Sequence, residues 1–350
     1  MLAWSVLHAP DITALLEQAA NTREVPGAVA VAGTLEIQNE WVVGVQRYGG
    51  QAVSAATRYD LASLTKVVAT LPAVLQLVGK GEIVLEDKVK RFFGHAGWFQ
   101  EPPLANVTIR QLLTHTSGLP AWKPLFALVS ERHTAFANVL QTELEQPGAY
   151  SYSDLGFILL GAIVERVAGE RQDVFVKKHV FDPLGMSETG YGPVTGVPVA
   201  ATEDCGWRGE VLEGTVHDEN AFVLDGVAGH AGLFGTSRDL SVYAQAWLEY
   251  DPALGPESLL QSAVNEHTTG EVRRGLGWQL ADKDSSAGSL ASDRAYGHTG
   301  FTGTSLWIEP AQGWYGVLLS NRVHPSRFGG QNIHALRRAF YEAVARRLKS

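Results

Sequence analysis

A serine and a lysine three residues apart stand at the start of an apolar segment, "RYDLASLTKVVAT". If a helix begins here, Ser63 and Lys66 lie on the same face of its first turn. A lysine beside a serine lowers the proton affinity of the hydroxyl or, when neutral, accepts its proton, and either effect makes the serine a nucleophile. A helix N-terminus also stabilises nearby negative charge. The alternative is an ordinary helix start, with a capping serine and a solvated lysine.

The spacing alone does not decide between these interpretations. With 20 serines and nine lysines, the chain is expected to contain about 0.5 such pairs by chance. Two further segments carry residues that suit the same chemistry. "AYSYSDLGFILLG" places a Tyr-x-Asp triplet at 152–154, just before a helix, and "YGHTGFTGTSLWIEP" places His-Thr-Gly at 298–300, at the entry to a strand.

The three motifs, in this order, resemble those of the serine β-lactamase and penicillin-binding protein superfamily. That family carries S-x-x-K, then Y-x-N, then K-T-G or H-T-G. The segments "VTIRQLLTHTSGLP", "HVFDPLGMSETG" and "GVAGHAGLFGTSRDL" are also similar, and the resemblance covers about residues 25–345. The nearest branch is the class C-like group, which includes carboxylesterases, D-aminopeptidases and D,D-peptidases.

The resemblance implies a role for each matching residue. Ser63 would attack a carbonyl carbon to form an acyl-enzyme, and Lys66 would hold or take its proton. Tyr152 would act as the general base and later activate water. The backbone amides of Ser63 and Phe301 would form the oxyanion hole, and Gly300 would let a substrate lie close along the strand edge. No cofactor and no metal is implied.

Two positions depart from the family pattern. The residues predicted to contact the substrate or its oxyanion are Asp154, His298, Thr299, Gly300 and Phe301. Asp154 replaces an asparagine. Its carboxylate only accepts hydrogen bonds and, if close to Lys66, favours the ammonium form, which makes Tyr152 the better candidate for the base. His298 stands where the classical penicillin-recognising members carry a lysine. With an ordinary pKa of about 6.5 it is a poorer permanent anchor for a β-lactam carboxylate, or it is a structural residue at a strand start.

Other residues in the family-like segments receive structural interpretations. His115 and His230 are predicted to shape loops, and the glycines around His230 indicate close backbone approach. Trp278 either lines the cleft or packs beneath it. The run His-Asp-Glu at 217–219 points in diverging directions, so it indicates a solvated or structural loop rather than a metal site.

Strand patterns at both ends of the chain enclose a region of helical patterns. "DITALLEQAA" and "NIHALRRAFYEAVARRLK" are typical of amphipathic helices, and "SLTKVVATLPAVLQLVGKG" and "SDLGFILLGAIVERVAG" are helix candidates between them. This order predicts an α/β (α+β) protein with a discontinuous domain, residues 1–61 and 281–350, whose antiparallel sheet is flanked by the N- and C-terminal helices. A mainly helical domain, residues 62–280, is inserted between the strands, as in β-lactamases and transpeptidases. The active site is expected at the interface of the two domains.

Composition limits the partners and the location. A net charge of −9 without any run of five or more basic residues argues against nucleic acid and anionic membrane surfaces. The single cysteine, Cys205, excludes an internal disulfide and a thiolate-rich metal site. The start of the chain lacks a basic region followed by an apolar stretch, and no segment has 18 uninterrupted apolar residues. We therefore expect a cytoplasmic protein without a membrane span, acting on a small molecule. The oligomeric state stays open.

Together, the motifs and the resemblance favour a serine hydrolase. Its expected substrates are small esters or peptides and amides that contain D-amino acids, hydrolysed through an acyl-enzyme. One alternative is a β-lactamase or D,D-carboxypeptidase, against which Asp154 and His298 speak. Another is a penicillin sensor or scaffold protein without turnover, which the presence of all three motifs disfavours.

Overall fold

The described residues of a computed structural model, 11–94, 99, 102–268 and 272–349, fold into helices and antiparallel strands. Residues 1–10, assigned above to the sheet domain, lie outside this range. The strands are β1 Gly27–Gly33, β2 Gln38–Gly44, β3 Tyr59–Asp60, β4 Gly190–Tyr191, β5 Asp204–Cys205, β6 Glu210–Val211, β7 Leu233–Gly235, β8 Gln279–Leu280, β9 Tyr296–Thr299, β10 Ser305–Glu309 and β11 Trp314–Ser320. The α-helices are α1 Ile12–Asn21, α2 Leu71–Gly79, α3 Val89–Phe93, α4 Ile109–Leu113, α5 Leu125–Leu128, α6 Arg132–Leu140, α7 Asp154–Ala168, α8 Gln172–Val176, α9 Asp182–Leu184, α10 Glu219–Val223, α11 Ser237–Glu249, α12 Glu257–Ala263 and α13 Ile333–Lys349.

The main sheet joins strands from both ends of the chain. Among the described residues it has six strands in the order β2-β1-β11-β10-β9-β8, each antiparallel to its neighbour. Ala28 of β1 is paired with Ser320 of β11, so the first strand lies beside the last. The predicted α/β fold with an antiparallel sheet is thereby confirmed. The division into two domains stays a prediction, and β8 lies within the range that was expected to be mainly helical.

Strand β1 is buried on both faces because helices cover each side of the sheet. Ala28, Ala30 and Ala32 pack in one cluster with residues of α1 and α13, whereas Val29 and Val31 pack in the large cluster on the helical side. Burial on both faces explains why this strand reads as a continuous apolar run instead of an alternating one. Helices from both ends of the chain therefore flank the sheet, as the sequence predicted.

The helix that carries the first motif has an irregular beginning. It starts at Leu64, so Ser63 immediately precedes it instead of lying in its first turn as predicted. A π-helical segment, Lys66–Thr70, follows before the regular α2. Such wider turns occur frequently at functional sites. The backbone N–H of Lys66 still donates to the Ser63 carbonyl at 3.1 Å, which fixes the two residues relative to each other.

Helix α7 positions the second motif through its N-terminal cap. The Ser153 hydroxyl accepts a hydrogen bond from the Gly156 N–H at 3.4 Å, so Asp154 is the first helical residue. The helix ends at Gly169, whose φ of 71° is left-handed, as its position in the sequence predicted. No helix in the described ranges is long and apolar enough to cross a membrane.

An aromatic cluster packs between α11 and the sheet. The Trp278 ring lies 5.2 Å from that of Trp247 and 5.3 Å from that of Tyr296, measured between ring centres. Trp278 is fully buried, and it packs in the core instead of lining the cleft. This settles the alternative that the sequence left open.

We predict that Trp278→Ala lowers the free energy of unfolding by about 3–5 kcal/mol, because it leaves a cavity in this cluster. Urea unfolding measures the change. Trp207 is 53% exposed, so Trp207→Ala is the matched control and loses less than about 1 kcal/mol. Equal losses in the two variants would show that Trp278 is not a core residue.

Candidate active site

The buried side chain of Lys66 lies at the centre of the site. Its Nζ donates hydrogen bonds to Ser63 Oγ at 2.8 Å and to the His230 carbonyl at 3.3 Å. The same Nζ is 2.7 Å from Asp154 Oδ1 in an ion pair. The structure therefore brings the first two sequence motifs into direct contact.

The surroundings of Lys66 determine its charge. Burial by itself lowers the pKa of a lysine, but the Asp154 carboxylate and Tyr152 outweigh this effect and raise the pKa of Lys66 above its ordinary value. Lys66 is consequently an ammonium group at neutral pH. It donates to Ser63 and has no lone pair with which to accept a proton.

The Tyr152 ring is packed against cations and histidines. Lys66 Nζ lies 4.9 Å from its centre and the guanidinium carbon of Arg274 lies 5.6 Å from it. The rings of His115 and His298 are centred 4.5 Å and 5.9 Å away. These contacts fix the position of the tyrosine relative to Lys66.

His115 is a buried support of the second motif. Its Nδ1 accepts a hydrogen bond from the Ser153 N–H at 3.0 Å, which holds the backbone between Tyr152 and Asp154. Its own φ of 58° is left-handed, a conformation uncommon outside glycine. Burial, with Arg274 and other nearby cations, holds the pKa of His115 well below its ordinary value, so the ring is neutral. His115 does shape a loop, and that loop carries the site.

The run 217–219 lines the same cleft but is tied into structural bonds. Its histidine contacts Glu203 at 3.1 Å, its aspartate contacts His230 at 2.8 Å, and its glutamate contacts Arg327 at 2.5 Å. Within the described ranges, no three His, Cys, Asp or Glu side chains are grouped so that they could hold a metal ion. The side chains diverge as expected, although the loop is partly buried.

A buried aspartate holds the backbone ahead of Ser63 in a strained conformation. Ala62 has a left-handed φ of 47°. Asp60 accepts hydrogen bonds from the Ala62 N–H at 2.8 Å and from the His217 N–H at 2.7 Å. Strain of this kind persists where the surroundings over-determine the backbone, and it is concentrated at functional sites. The role of Asp60 is not evident from the sequence because its bond partner His217 is distant along the chain.

Gly300 allows strand β9 to approach the segment that precedes Ser63. A Cβ atom added to Gly300 would lie 2.1 Å from Thr304 Oγ1 and 2.6 Å from the Leu61 carbonyl oxygen. Backbone packing next to the serine therefore accounts for this glycine. The close approach of a substrate, which the sequence suggested, is not needed to explain a glycine at position 300.

His298 is buried beside the cleft and uncharged. Its Nδ1 donates to the carbonyl of Thr299 at 2.9 Å. Burial lowers the pKa of His298 well below its ordinary value, and Arg274 and Lys66 lower it further. His298 therefore lacks the partial positive charge that its ordinary pKa would give it at neutral pH. Thr299 is half-buried and is the last residue of β9, at the cleft. It lies two residues beyond Gly297, which is the last residue of β9 that pairs with β8.

The cleft around Ser63 has a volume of about 570 Å³. Every predicted site residue lines it except Lys66, which lies buried behind Ser63. Phe301 is 51% exposed at its rim, where its ring stacks on His217 at 5.7 Å and on the Arg322 guanidinium at 4.6 Å. Such a cleft is large enough for a small peptide or ester.

A serine held by a buried lysine ammonium, with a tyrosine beside it on a sheet-and-helix fold, defines an active-site serine hydrolase. Comparison with known sequences agrees, since the profile of the Beta-lactamase family matches residues 12–340. The chain belongs to the Beta-lactamase family.

Individual relatives and structures extend this result. A protein of Escherichia coli (strain K12) named "Putative D-alanyl-D-alanine carboxypeptidase" is 34% identical over 306 residues, 77% of this chain and 70% of the relative. An "N-acetylmuramyl-L-alanine amidase" of Bacillus subtilis (strain 168) is 31% identical over 304 residues, 77% and 68% of the two chains. The class C β-lactamase of Rhodobacter sphaeroides shares the fold, with a TM-score of 0.74, 19% identity, and 96% of this chain and 99% of that chain covered.

We predict that Asp154→Asn lowers the pKa of Lys66. The substitution removes the carboxylate that raises this pKa, while the burial that lowers it remains. The ¹³Cε chemical shift of Lys66, assigned by its loss in Lys66→Met, is followed against pH with the other lysines as internal references. A pKa that is unchanged or higher in Asp154→Asn would contradict the assigned cause.

Proposed function

We propose that the protein hydrolyses peptides or amides that contain D-amino acids, or small esters, through an acyl-enzyme on Ser63. The observation that carries this proposal is the chain of short contacts from Ser63 Oγ through Lys66 to Asp154, 2.8 Å and 2.7 Å long. It places a permanent positive charge directly against a hydroxyl that faces a cleft.

The ammonium group determines how Ser63 is activated. Its hydrogen bond to Oγ stabilises the negative charge that develops when the serine loses its proton. In our proposal the ionised oxygen of Tyr152 takes the Ser63 proton while Oγ forms the bond to the carbonyl carbon. Lys66 and Arg274, both near the Tyr152 ring, stabilise the negative charge on that oxygen. The proton then moves to the leaving nitrogen or oxygen as its bond to carbon breaks.

The oxyanion of the tetrahedral intermediate is assigned to the backbone amides of Ser63 and Phe301. No hydrogen bond among the described residues has either amide as its donor, so both are free for a ligand. The left-handed Ala62 orients the first amide and the close approach at Gly300 positions the second. Preorganised donors of this kind stabilise developing charge without having to reorient during the reaction.

The substrate class is narrowed by charge and by the relatives. Because His298 is neutral and Asp154 cannot donate a hydrogen bond, this site suits a β-lactam poorly. The names of the two relatives, a carboxypeptidase and an amidase, support amide bonds in peptides as the second candidate alongside esters. A D,D-carboxypeptidase activity therefore stays an alternative within this proposal. The cytoplasmic location stays a prediction.

Ser63→Ala is expected to reduce the turnover of p-nitrophenyl butyrate and of N-acetyl-D-alanyl-D-alanine by about 10³-fold or more, because the covalent step is lost. Absorbance and amino-acid release measure the two reactions, and circular dichroism checks the fold. Ser187 is exposed, so Ser187→Ala is the matched control and keeps wild-type rates. Activity retained in Ser63→Ala would refute the proposed nucleophile.

Asp154→Asn is also expected to raise the ratio of nitrocefin hydrolysis to ester hydrolysis, because the amide can donate to a substrate carbonyl. The ratio of kcat/KM values for nitrocefin and p-nitrophenyl butyrate measures the effect, and the wild type gives the reference. A ratio that stays the same or falls would show that Asp154 does not disfavour β-lactams.

A further inference from the structure

A buried arginine of the C-terminal helix reaches the third motif. Arg337 of α13 is 7% exposed, and its Nη2 donates to the carbonyl oxygens of Gly300 and Thr304 at 2.7 Å and 2.8 Å. Gly300 directly follows β9, and Thr304 directly precedes β10. Helix α13 is thereby connected to the turn whose first residue lines the cleft.

The surroundings of Arg337 are unfavourable for a charged side chain. Burial lowers the pKa of Arg337 to about 10, so the guanidinium is still charged at neutral pH. None of the ion pairs within the described ranges includes it, and its buried Nε has no hydrogen-bond partner there. Both carbonyls also accept a backbone N–H, Gly300 from Gly303 at 3.1 Å and Thr304 from Gly300 at 2.7 Å. Because a buried charge without an opposite charge destabilises a fold, a functional reason for this arginine is expected.

The Gly300 carbonyl and the Phe301 N–H belong to one peptide group. That group is planar and trans, so its C=O and N–H bonds point in opposite directions. Arg337 therefore binds the end opposite to the amide that we assign to the oxyanion. A positive charge at the carbonyl oxygen draws electrons away from the nitrogen through peptide resonance. The Phe301 N–H becomes a stronger hydrogen-bond donor as a result.

The other amide of the proposed oxyanion hole has a different support. The Ala62 carbonyl, in the same peptide group as the Ser63 N–H, accepts a neutral backbone N–H from Thr65 at 3.0 Å. That bond is part of the helix start. The charged support is thus on the Phe301 side of the hole.

We propose that Arg337 is a positioning residue of the oxyanion hole: its guanidinium holds the peptide group between Gly300 and Phe301 and strengthens the Phe301 N–H as a donor to the oxyanion. The inference rests on the proposed function, in which that amide binds the oxyanion. Arg337 acts through the peptide group and is not assigned a contact with the substrate. Because the oxyanion develops only when Ser63 Oγ attacks, the arginine stabilises the transition state more than the bound substrate.

Two esters that differ in one atom test the proposal. p-Nitrophenyl butyrate is compared with its thionoester, in which sulfur, a weaker hydrogen-bond acceptor, replaces the carbonyl oxygen. The thionoester therefore depends less on the oxyanion hole. Arg337→Met should lower the ratio of the two kcat/KM values, oxygen ester over thionoester, by about tenfold. This is less than the 10²–10³-fold typical for loss of a whole oxyanion donor, because the Phe301 N–H itself remains.

Two further variants separate this role from a structural one. Arg337→Gln keeps an N–H donor without the charge, so it should lower the ratio, but by less than Arg337→Met does. Should Arg337→Met fail to fold, as judged by circular dichroism, Arg337→Gln decides by the same ratio. Arg338 is the next residue of α13, is partly exposed and pairs with Glu342, so Arg338→Met is the matched control and should leave the ratio unchanged.

Inhibition by n-propylboronic acid gives a second measurement. Its boron forms a bond to Ser63 Oγ and becomes a tetrahedral anion, which mimics the intermediate. The inhibition constant should rise about tenfold in Arg337→Met and stay unchanged in Arg338→Met. A ratio or an inhibition constant that keeps its wild-type value in the Arg337 variants, including the case in which both esters are slowed equally, would overturn the proposal. Failure of the proposed function is seen separately, as ester hydrolysis that persists in Ser63→Ala.

Discussion

The ion pair between Lys66 and Asp154 is the interaction on which the site depends. A lysine ammonium that is completely buried is stable only if an opposite charge and further acceptors surround it. Asp154, the Ser63 hydroxyl and the His230 carbonyl provide these partners. The pair therefore fixes three separate chain segments around one nitrogen atom. It also raises the pKa of that nitrogen, in line with our proposal that another residue is the base.

The fold can be understood as the means of holding those segments together. The chain before Ser63 is clamped by Asp60, and the π-helical segment that follows begins at Lys66. The cap of α7 and the nitrogen of His115 place Asp154. Close backbone contact between Gly229 and the Phe157 carbonyl, 2.0 Å from where a Cβ would lie, lets the loop carrying His230 reach Lys66. The large sheet then brings β9, which carries the third motif, to the cleft that Ser63 faces.

The sequence predicted the elements and the motifs well, because both depend on local spacing. The helix that follows Ser63, the cap at Gly169 and the terminal helices are encoded by neighbouring residues. Contacts between distant segments could not be predicted in this way. The buried Asp60, the neutral state of His298 and the position of Arg274 against Tyr152 all depend on which side chains meet in the folded protein. Those same contacts determine the charge in the cleft.

The central claim is that a substrate acylates Ser63, and mass spectrometry tests it directly. The protein is mixed with p-nitrophenyl butyrate, quenched in acid during turnover and digested with trypsin. Cleavage after Arg58 and Lys66 releases residues 59–66, in which Ser63 is the only serine. The account predicts that this peptide carries one butyryl group on Ser63. Turnover with the peptide unmodified, or with the butyryl group on another residue, would contradict it.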